Sequence, residues 1–207
     1  MLLEPAVMPF SSRSLIVPLL LGVMVSACDK QSAPAGQDNA ITSGEVTSPA
    51  PETGKAPAYS IDRKKVGEPL PDVAFTDEKG KAIALKEFSG KPVLVNLWAT
   101  WCAPCIAEMP QLDNIAGAHS KDGLQLLTIS QDSLGVDKVM AYWNGKGFKH
   151  IHPYLDPENK LGFHYGTGVL PTSVLYSADS KEIARIIGAP DWEGPEAAAL
   201  IKEALTK

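Results

Sequence analysis

Pro92-Val93-Leu94-Val95-Asn96-Leu97-Trp98 is an apolar run of strand length broken only by Asn96, and a run that does not alternate describes a strand covered on both faces. Downstream of it the pattern predicts a helix, Ala103 to His119, and then a second buried strand, Leu124 to Ser130. A helix at Val136 to Asn144, a strand at Ile151 to Leu155 and a short helix at Glu158 to Tyr165 come next. Strands at Thr172 to Tyr176 and Glu182 to Ile187 form a hairpin turning at Asp179-Ser180, and a helix at Gly194 to Leu205 closes the chain. Upstream, Val73 to Thr76 and Ala82 to Leu85 read as an N-terminal hairpin through Asp77-Glu78-Lys79-Gly80. The alternation of strand and helix predicts an α/β domain with parallel strands in a central sheet flanked by helices. Pro110 falls inside the first helix and is expected to kink it.

These elements occupy residues 61–207, the size of one domain with its own core. Ahead of them the pattern disappears. Residues 29–58 are rich in Ser, Ala, Thr, Gly and Pro, with Ile41 and Val46 as their only large aliphatics, and cannot bury a core. Residues 28–60 therefore read as a flexible linker with an r.m.s. reach of roughly 30 Å. Further upstream, Leu15 to Ala27 carries no charge, follows Arg13, and ends in the small residues Val25-Ser26-Ala27. Residues 1–27 thus read as a secretory signal peptide, too short to span a membrane comfortably. Val25-Ser26-Ala27-Cys28 resembles the bacterial lipobox, which implies lipid attachment at Cys28 and a tethered domain. Asp29 resembles the signal that keeps such lipoproteins at the inner membrane, so the expected location is its periplasmic face. The formal net charge is −5, and with no basic patch the sequence gives no reason to expect a nucleic-acid partner.

The chemistry sits at the strand-to-helix junction. Cys102 and Cys105 bracket Ala103-Pro104 just as the helix begins, where unpaired N–H groups and the positive end of the helix dipole favour a thiolate. Cys102 is the candidate nucleophile, and Cys105, one turn later on the same face, the buried resolving thiol. Half a zinc site has the same spacing, but a closed site needs two more ligands. The one other cysteine is Cys28, and His150 and His152 stand at i, i+2 in what reads as a strand. A purely structural disulfide is a further reading, weakened because so short a loop constrains the unfolded chain little.

Gly67-Glu68-Pro69-Leu70-Pro71-Asp72, Leu85-Lys86-Glu87-Phe88-Ser89-Gly90-Lys91 and above all Val93 through Pro110, with Trp98-Ala99-Thr100-Trp101-Cys102-Ala103-Pro104-Cys105 at its centre, resemble the TlpA/ResA branch of the thioredoxin superfamily. The resemblance covers nearly all of 66–207. It implies a thioredoxin-like fold with an N-terminal β-hairpin extension and a central α/β insertion, here 136–165. It also implies a membrane-tethered extracytoplasmic thiol-disulfide oxidoreductase whose redox unit is the Cys102–Cys105 pair, with no separate cofactor and no metal. Gly188-Ala189-Pro190-Asp191-Trp192 resembles the stretch before the last helix in TlpA-type proteins. Val169-Leu170-Pro171-Thr172 resembles the superfamily's cis-proline loop, which makes Leu170 and Pro171 contacts for an incoming partner. Trp101 is expected as a partly exposed apolar collar for partners and Trp98 as core.

Glu108 follows Cys105 by three residues and shares the thiols' helix face. Thioredoxins proper carry a buried aspartate where this chain has Asn96, and ResA-like proteins place a glutamate where Glu108 stands. A carboxyl half-buried beside a thiol should have a raised pKa and accept the proton of Cys105, whereas a surface glutamate would merely complement the helix dipole. The partners implied are disulfide-containing proteins, such as apocytochrome c or the copper-site cysteines of cytochrome oxidase assembly, and a transmembrane thiol donor of the DsbD or CcdA kind. A monomer is expected. Other classes fit less well: a thioredoxin-fold peroxidase would carry Pro-x-x-x-Thr-x-x-Cys, and a copper chaperone of the Sco type three residues between its cysteines. A non-catalytic exported binding module would hold a pair that resists dithiothreitol.

Overall fold

The computed structural model describes residues 58–207, so the leader, Cys28 and all but the end of the linker lie outside the described residues. In chain order the strands are β1 (Tyr59–Asp62), β2 (Ala74–Asp77), β3 (Ala82–Ala84), β4 (Val93–Trp98), β5 (Gln125–Ser130), β6 (Pro153–Leu155), β7 (Thr172–Tyr176) and β8 (Glu182–Gly188). The helices are α1 (Ala103–Ala118), α2 (Val136–Trp143), α3 (Lys160–Tyr165) and α4 (Pro195–Thr206). All eight strands form one mixed sheet in the order β1-β8-β7-β4-β5-β6-β2-β3. β4 runs parallel to β5 and antiparallel to β7, and every one of its residues is buried. That is why its sequence shows no alternation.

Two apolar clusters cover the sheet. Leu94 and Trp98 of β4 join Cys105, Met109 and Leu112 of α1, Val139 and Trp143 of α2, and Leu200 and Ile201 of α4. Val93, Val95 and Leu97 join Leu161 and Tyr165 of α3, with Phe75 and Leu85 from the N-terminal hairpin region. The insertion, α2-β6-α3, adds β6 beside β5, and β2 then pairs with β6 so that the hairpin extends the sheet.

The structure moves some boundaries. Tyr59 and Ser60, which the sequence reading placed in the linker, are already sheet: they pair with Gly188 and Ile187. Tyr59 and Ile61 lie on the core in a recess shared with Trp192 and Leu200, and the Tyr59 hydroxyl donates to Glu196. β6 begins at Pro153 rather than Ile151, because the amides of Lys149, His150 and Ile151 all donate to the Asp113 carboxylate of α1. Burial alone would raise the Asp113 pKa, but these three donors outweigh it and the carboxyl ends lower than usual. α3 starts at Lys160, two residues later than expected. The Asp156 carboxylate takes the amides of Lys160 and Leu161, and Asn159 before them is in the left-handed region at φ 55°. Leu85–Phe88, between the hairpin and β4, forms a 3-10 turn.

Candidate active site

β4 ends at Trp98, and the chain turns through Ala99-Thr100-Trp101 with the Cys102 amide donating to Ala99 O at 3.1 Å. Cys102 is the N-cap of α1, in extended backbone, and Pro104 fits the first turn because its missing N–H would be unpaired there in any case. Cys102 and Cys105 are joined as a disulfide with Cα atoms 5.3 Å apart. The Cys105 amide donates to Cys102 Sγ at 3.3 Å, the contact that would stabilise a thiolate once the bond is opened. Cys102 is 5% exposed, and Cys105 is fully buried.

The turn before the cysteines is fastened by a residue the sequence reading did not single out. Asp132, buried just beyond β5, accepts from the Thr100 amide at 2.8 Å, from Thr100 Oγ1 at 2.7 Å and from Ser130 Oγ at 2.8 Å. An aspartate two residues beyond a predicted buried strand was its one signal in the sequence. Trp101, held by this turn, is 66% exposed, whereas Trp98 is wholly buried against Tyr142 and Trp143.

Opposite the turn, Thr172 pairs with Leu97 of β4, so the preceding Leu170 and Pro171 stand at the sheet end where α1 begins, and the peptide between them is cis. Trp101, Val169 and Leu170 line a groove of about 510 Å³ whose far wall, Asn159 and Phe163, comes from the insertion. No charged side chain lines it, and Phe163, Val169 and Trp101 are among the most exposed apolar residues described.

Glu108 lies behind the cysteines on α1, at 3% exposure. Its Oε1 accepts from Asn96 Nδ2 and its Oε2 from Trp192 Nε1, each at 2.8 Å. Burial pushes the carboxyl from 4.5 up to about 7, with the two hydrogen bonds acting in the opposite direction. The fold therefore brings together Cys102, Cys105, Glu108, Trp101, Leu170 and Pro171, while Cys28 lies outside the described residues. Among the described residues no cluster of three or more His, Cys, Asp or Glu side chains is arranged to hold a metal ion.

The family described as Redoxin matches residues 65–201. Thiol-disulfide oxidoreductase ResA of Bacillus thuringiensis (strain Al Hakam) is 34% identical over 127 residues, covering 61% of this chain and 72% of that protein. ResA of Bacillus subtilis (strain 168) is 28% identical over 123 residues, covering 59% and 67%. A secreted thiol-disulfide isomerase from Corynebacterium glutamicum superposes with a TM-score of 0.61 at 20% identity, over 76% of this chain and 96% of that one. A thiol:disulfide interchange protein of the thioredoxin family from Chlorobium tepidum TLS superposes with a TM-score of 0.56 at 24% identity, over 67% and 97%. At such identities the superpositions speak for the fold alone, and that fold is thioredoxin-like.

Proposed function

This chain belongs to the redoxin family and is a ResA-like protein thiol-disulfide oxidoreductase, and from that premise we propose that it reduces partner disulfides from a lipid anchor on the periplasmic face of the inner membrane. The observation that carries the chemistry is the arrangement around the Cys102–Cys105 disulfide. It sits at the start of α1 with the Cys105 amide on Cys102 Sγ, Leu170-Pro171 at the same end of the sheet, and a buried carboxyl behind it. In the reduced protein the Cys102 thiolate attacks one sulfur of a partner disulfide, forming a mixed disulfide and expelling the other partner sulfur as thiolate. Cys105 then gives its proton to Glu108 and attacks Cys102 Sγ, which closes the enzyme disulfide and releases the second partner thiolate. Two electrons pass to the partner, and the protons lost by the cysteines end on its thiols. Trp101, Leu170 and Pro171 hold the partner chain during these steps.

The anchor is supported by Cys28 after Val25-Ser26-Ala27, and retention at the inner membrane by Asp29. A reductant in an oxidising compartment needs electrons from across the membrane, which a transmembrane thiol carrier of the DsbD or CcdA kind would supply to a monomeric domain. The substrates in this reading are apocytochrome c cysteines or the copper-site cysteines of cytochrome oxidase assembly. The direct test is Cys105→Ser in the full-length protein: stable mixed disulfides with partners should accumulate, and Cys102→Ser should abolish them. Equal trapping by both variants, or by neither, would sink the assignment. Cys28→Ser should block lipid labelling, and a wild type that fractionates as a soluble protein would refute the anchor.

A further inference from the structure

Trp192 lies on the segment between β8 and α4, 84 residues from Glu108 in the chain, yet its indole N–H ends on the Glu108 carboxylate. The placement is built. α1 presents Glu108, Gln111 and Asn114 at successive turns, and each meets the segment: Trp192 Nε1 donates to Glu108 Oε2, Gln111 Nε2 to Asp191 Oδ1 at 3.0 Å, and Asn114 Nδ2 to Glu193 Oε1 at 2.8 Å. The Trp192 amide also donates to Gln111 Oε1 at 3.1 Å, and the indole is 2% exposed.

The two donors to Glu108 differ in kind. An indole N–H can only donate. Asn96 can do either, because turning its amide over exchanges Nδ2 for Oδ1. In the structure Asn96 Nδ2 donates both to Glu108 Oε1 and to Ser173 Oγ at 2.9 Å, while Asn96 Oδ1 is buried with no partner. After the turn Oδ1 would face Glu108 and accept a carboxyl O–H, and the Ser173 hydroxyl would change from acceptor to donor. One amide atom is left without a partner in either orientation, so that feature favours neither.

We propose that Trp192 is a positioning residue for the proton transfer: its fixed N–H keeps Oε2 an acceptor, so the proton taken from Cys105 is carried on Oε1, where Asn96 turns over to receive the new O–H. The step moves one proton from Cys105 Sγ to Glu108 Oε1 as Sγ bonds to Cys102, and the proton leaves again to a partner thiolate. This rests on the reading of Glu108 as proton acceptor. The groups around the carboxyl are few: Trp192 and Asn96, which bond to it, Ser173 of β7 behind Asn96, and Asp191 across the shallow recess that Glu108 shares with Pro104 and Pro190, while Cys105 stands one turn before it on α1. No charged side chain among the described residues contributes to its raised pKa.

The test is the pH profile of mixed-disulfide resolution in wild type, Trp192→Phe, Glu108→Gln and the double variant. Phenylalanine keeps most of the ring and removes the donor. The expected result is a midpoint near 7 in wild type, moved to higher pH by about one in Trp192→Phe, since a hydrogen bond to the charged form is lost, and no effect of Trp192→Phe once Glu108 is Gln. A Trp192→Phe profile that superimposes on wild type while Glu108→Gln alters it overturns the role of Trp192 and leaves that of Glu108. A profile unchanged by Glu108→Gln overturns both. The wild type supplies a readout that needs no variant to fold: the Trp192 indole ¹⁵N–¹H resonance should titrate with the same midpoint, and an indole signal flat through that range refutes the proposal.

Discussion

Glu108 and Glu182 are equally buried, at 3% and 2% exposure, and the sheet separates what they touch. Glu182 on β8 faces a cation: Arg185 Nε and Nη2 donate to its two oxygens at 2.6 and 2.9 Å, and Arg185 Nη1 donates to Tyr165 O at the end of α3 at 2.7 Å. The carboxylate holds the Arg185 guanidinium above its ordinary pKa, and the guanidinium also lies 5.2 Å from the Tyr165 ring. Glu108 meets no counter-charge: an indole and an amide donate to it, these offset only part of the desolvation of its charge, and the carboxyl is pushed up to about 7. One residue type at one depth is thus a fastener where a counter-charge is supplied and, in the mechanism proposed above, a proton site where it is withheld. Burial alone does not distinguish the two roles.

The sharpest break is to remove the counter-charge. Arg185→Met leaves the Glu182 carboxyl buried and unpaired and should cost about 3–5 kcal/mol in urea unfolding, with disulfide reduction per folded molecule unchanged. Replacing Glu182 by Leu as well should restore much of that loss. A stable Arg185→Met would mean that the pair is not what fastens α3 to the sheet.

Next is the pH dependence of stability. The Glu108 carboxyl has an ordinary value of 4.5 when exposed and about 7 in the fold, so the native state binds this proton more tightly. Its contribution is therefore fully present below pH 4.5 and is lost as pH rises through 7, a fall of about 3 kcal/mol. Glu203 runs the other way: hydrogen bonds from Arg63 and Lys207 hold it at about 2, and its contribution disappears only as pH drops toward that value. Chemical denaturation of wild type between pH 4.5 and 8 should show the Glu108 slope, and Glu108→Gln should abolish it. A slope that Glu108→Gln leaves unchanged would mean that this carboxyl keeps an ordinary pKa despite its burial.

Smaller again is Asp132→Ala, which strips two hydrogen bonds from the turn before Cys102 and one from Ser130, leaves the Thr100 amide short of an acceptor, and should cost about 2 kcal/mol. It should also slow reaction at Cys102, read by alkylation of the reduced protein. Last, Trp101→Ala should change stability by no more than about 0.5 kcal/mol, because the ring is mostly in solvent, yet raise KM for a disulfide partner. A large loss of stability there would make Trp101 a core residue instead of a collar.

Most of this frame was legible in the sequence, for physical reasons that can be named. Val93–Trp98 announced itself because burial on both faces forces a continuous apolar run, and the cysteines because a helix start is where thiolates are favoured. β1 was missed since four residues, Tyr-Ser-Ile-Asp, abut a polar stretch and acquire strand character only from a partner more than a hundred residues away. Ile151 was read into a strand because its side chain is apolar, while its amide is claimed by Asp113 on another element. Glu108 could be placed on the right helix face from spacing, but not its partners: Trp192 is 84 residues off, and Asn96 was noted only as the break in an apolar run and as standing where thioredoxins proper carry an aspartate. Asp132 was invisible because hydrogen bonds made across the fold leave no period in the chain, and the Glu182–Arg185 pair because a regular strand puts residues i and i+3 on opposite faces, whereas the irregularity where β8 passes Leu175 and Tyr176 brings these two together.

The point where the chain enters the sheet has a mechanical meaning. Tyr59 stands opposite Gly188, and the Gly188 amide is bonded to Pro171 O at 2.9 Å, so the entry lies two pairings from the proline loop. A domain held through its upstream residues is therefore hung by its working end, with the short lever arm at the cysteines and the long one at the opposite end of the sheet. Rotation about such a hinge sweeps the far end through wide arcs while the redox end stays near the pivot. For a tethered enzyme the distance the cysteines can travel from the anchor is then set by the linker, roughly 30 Å, and hardly by how the domain turns.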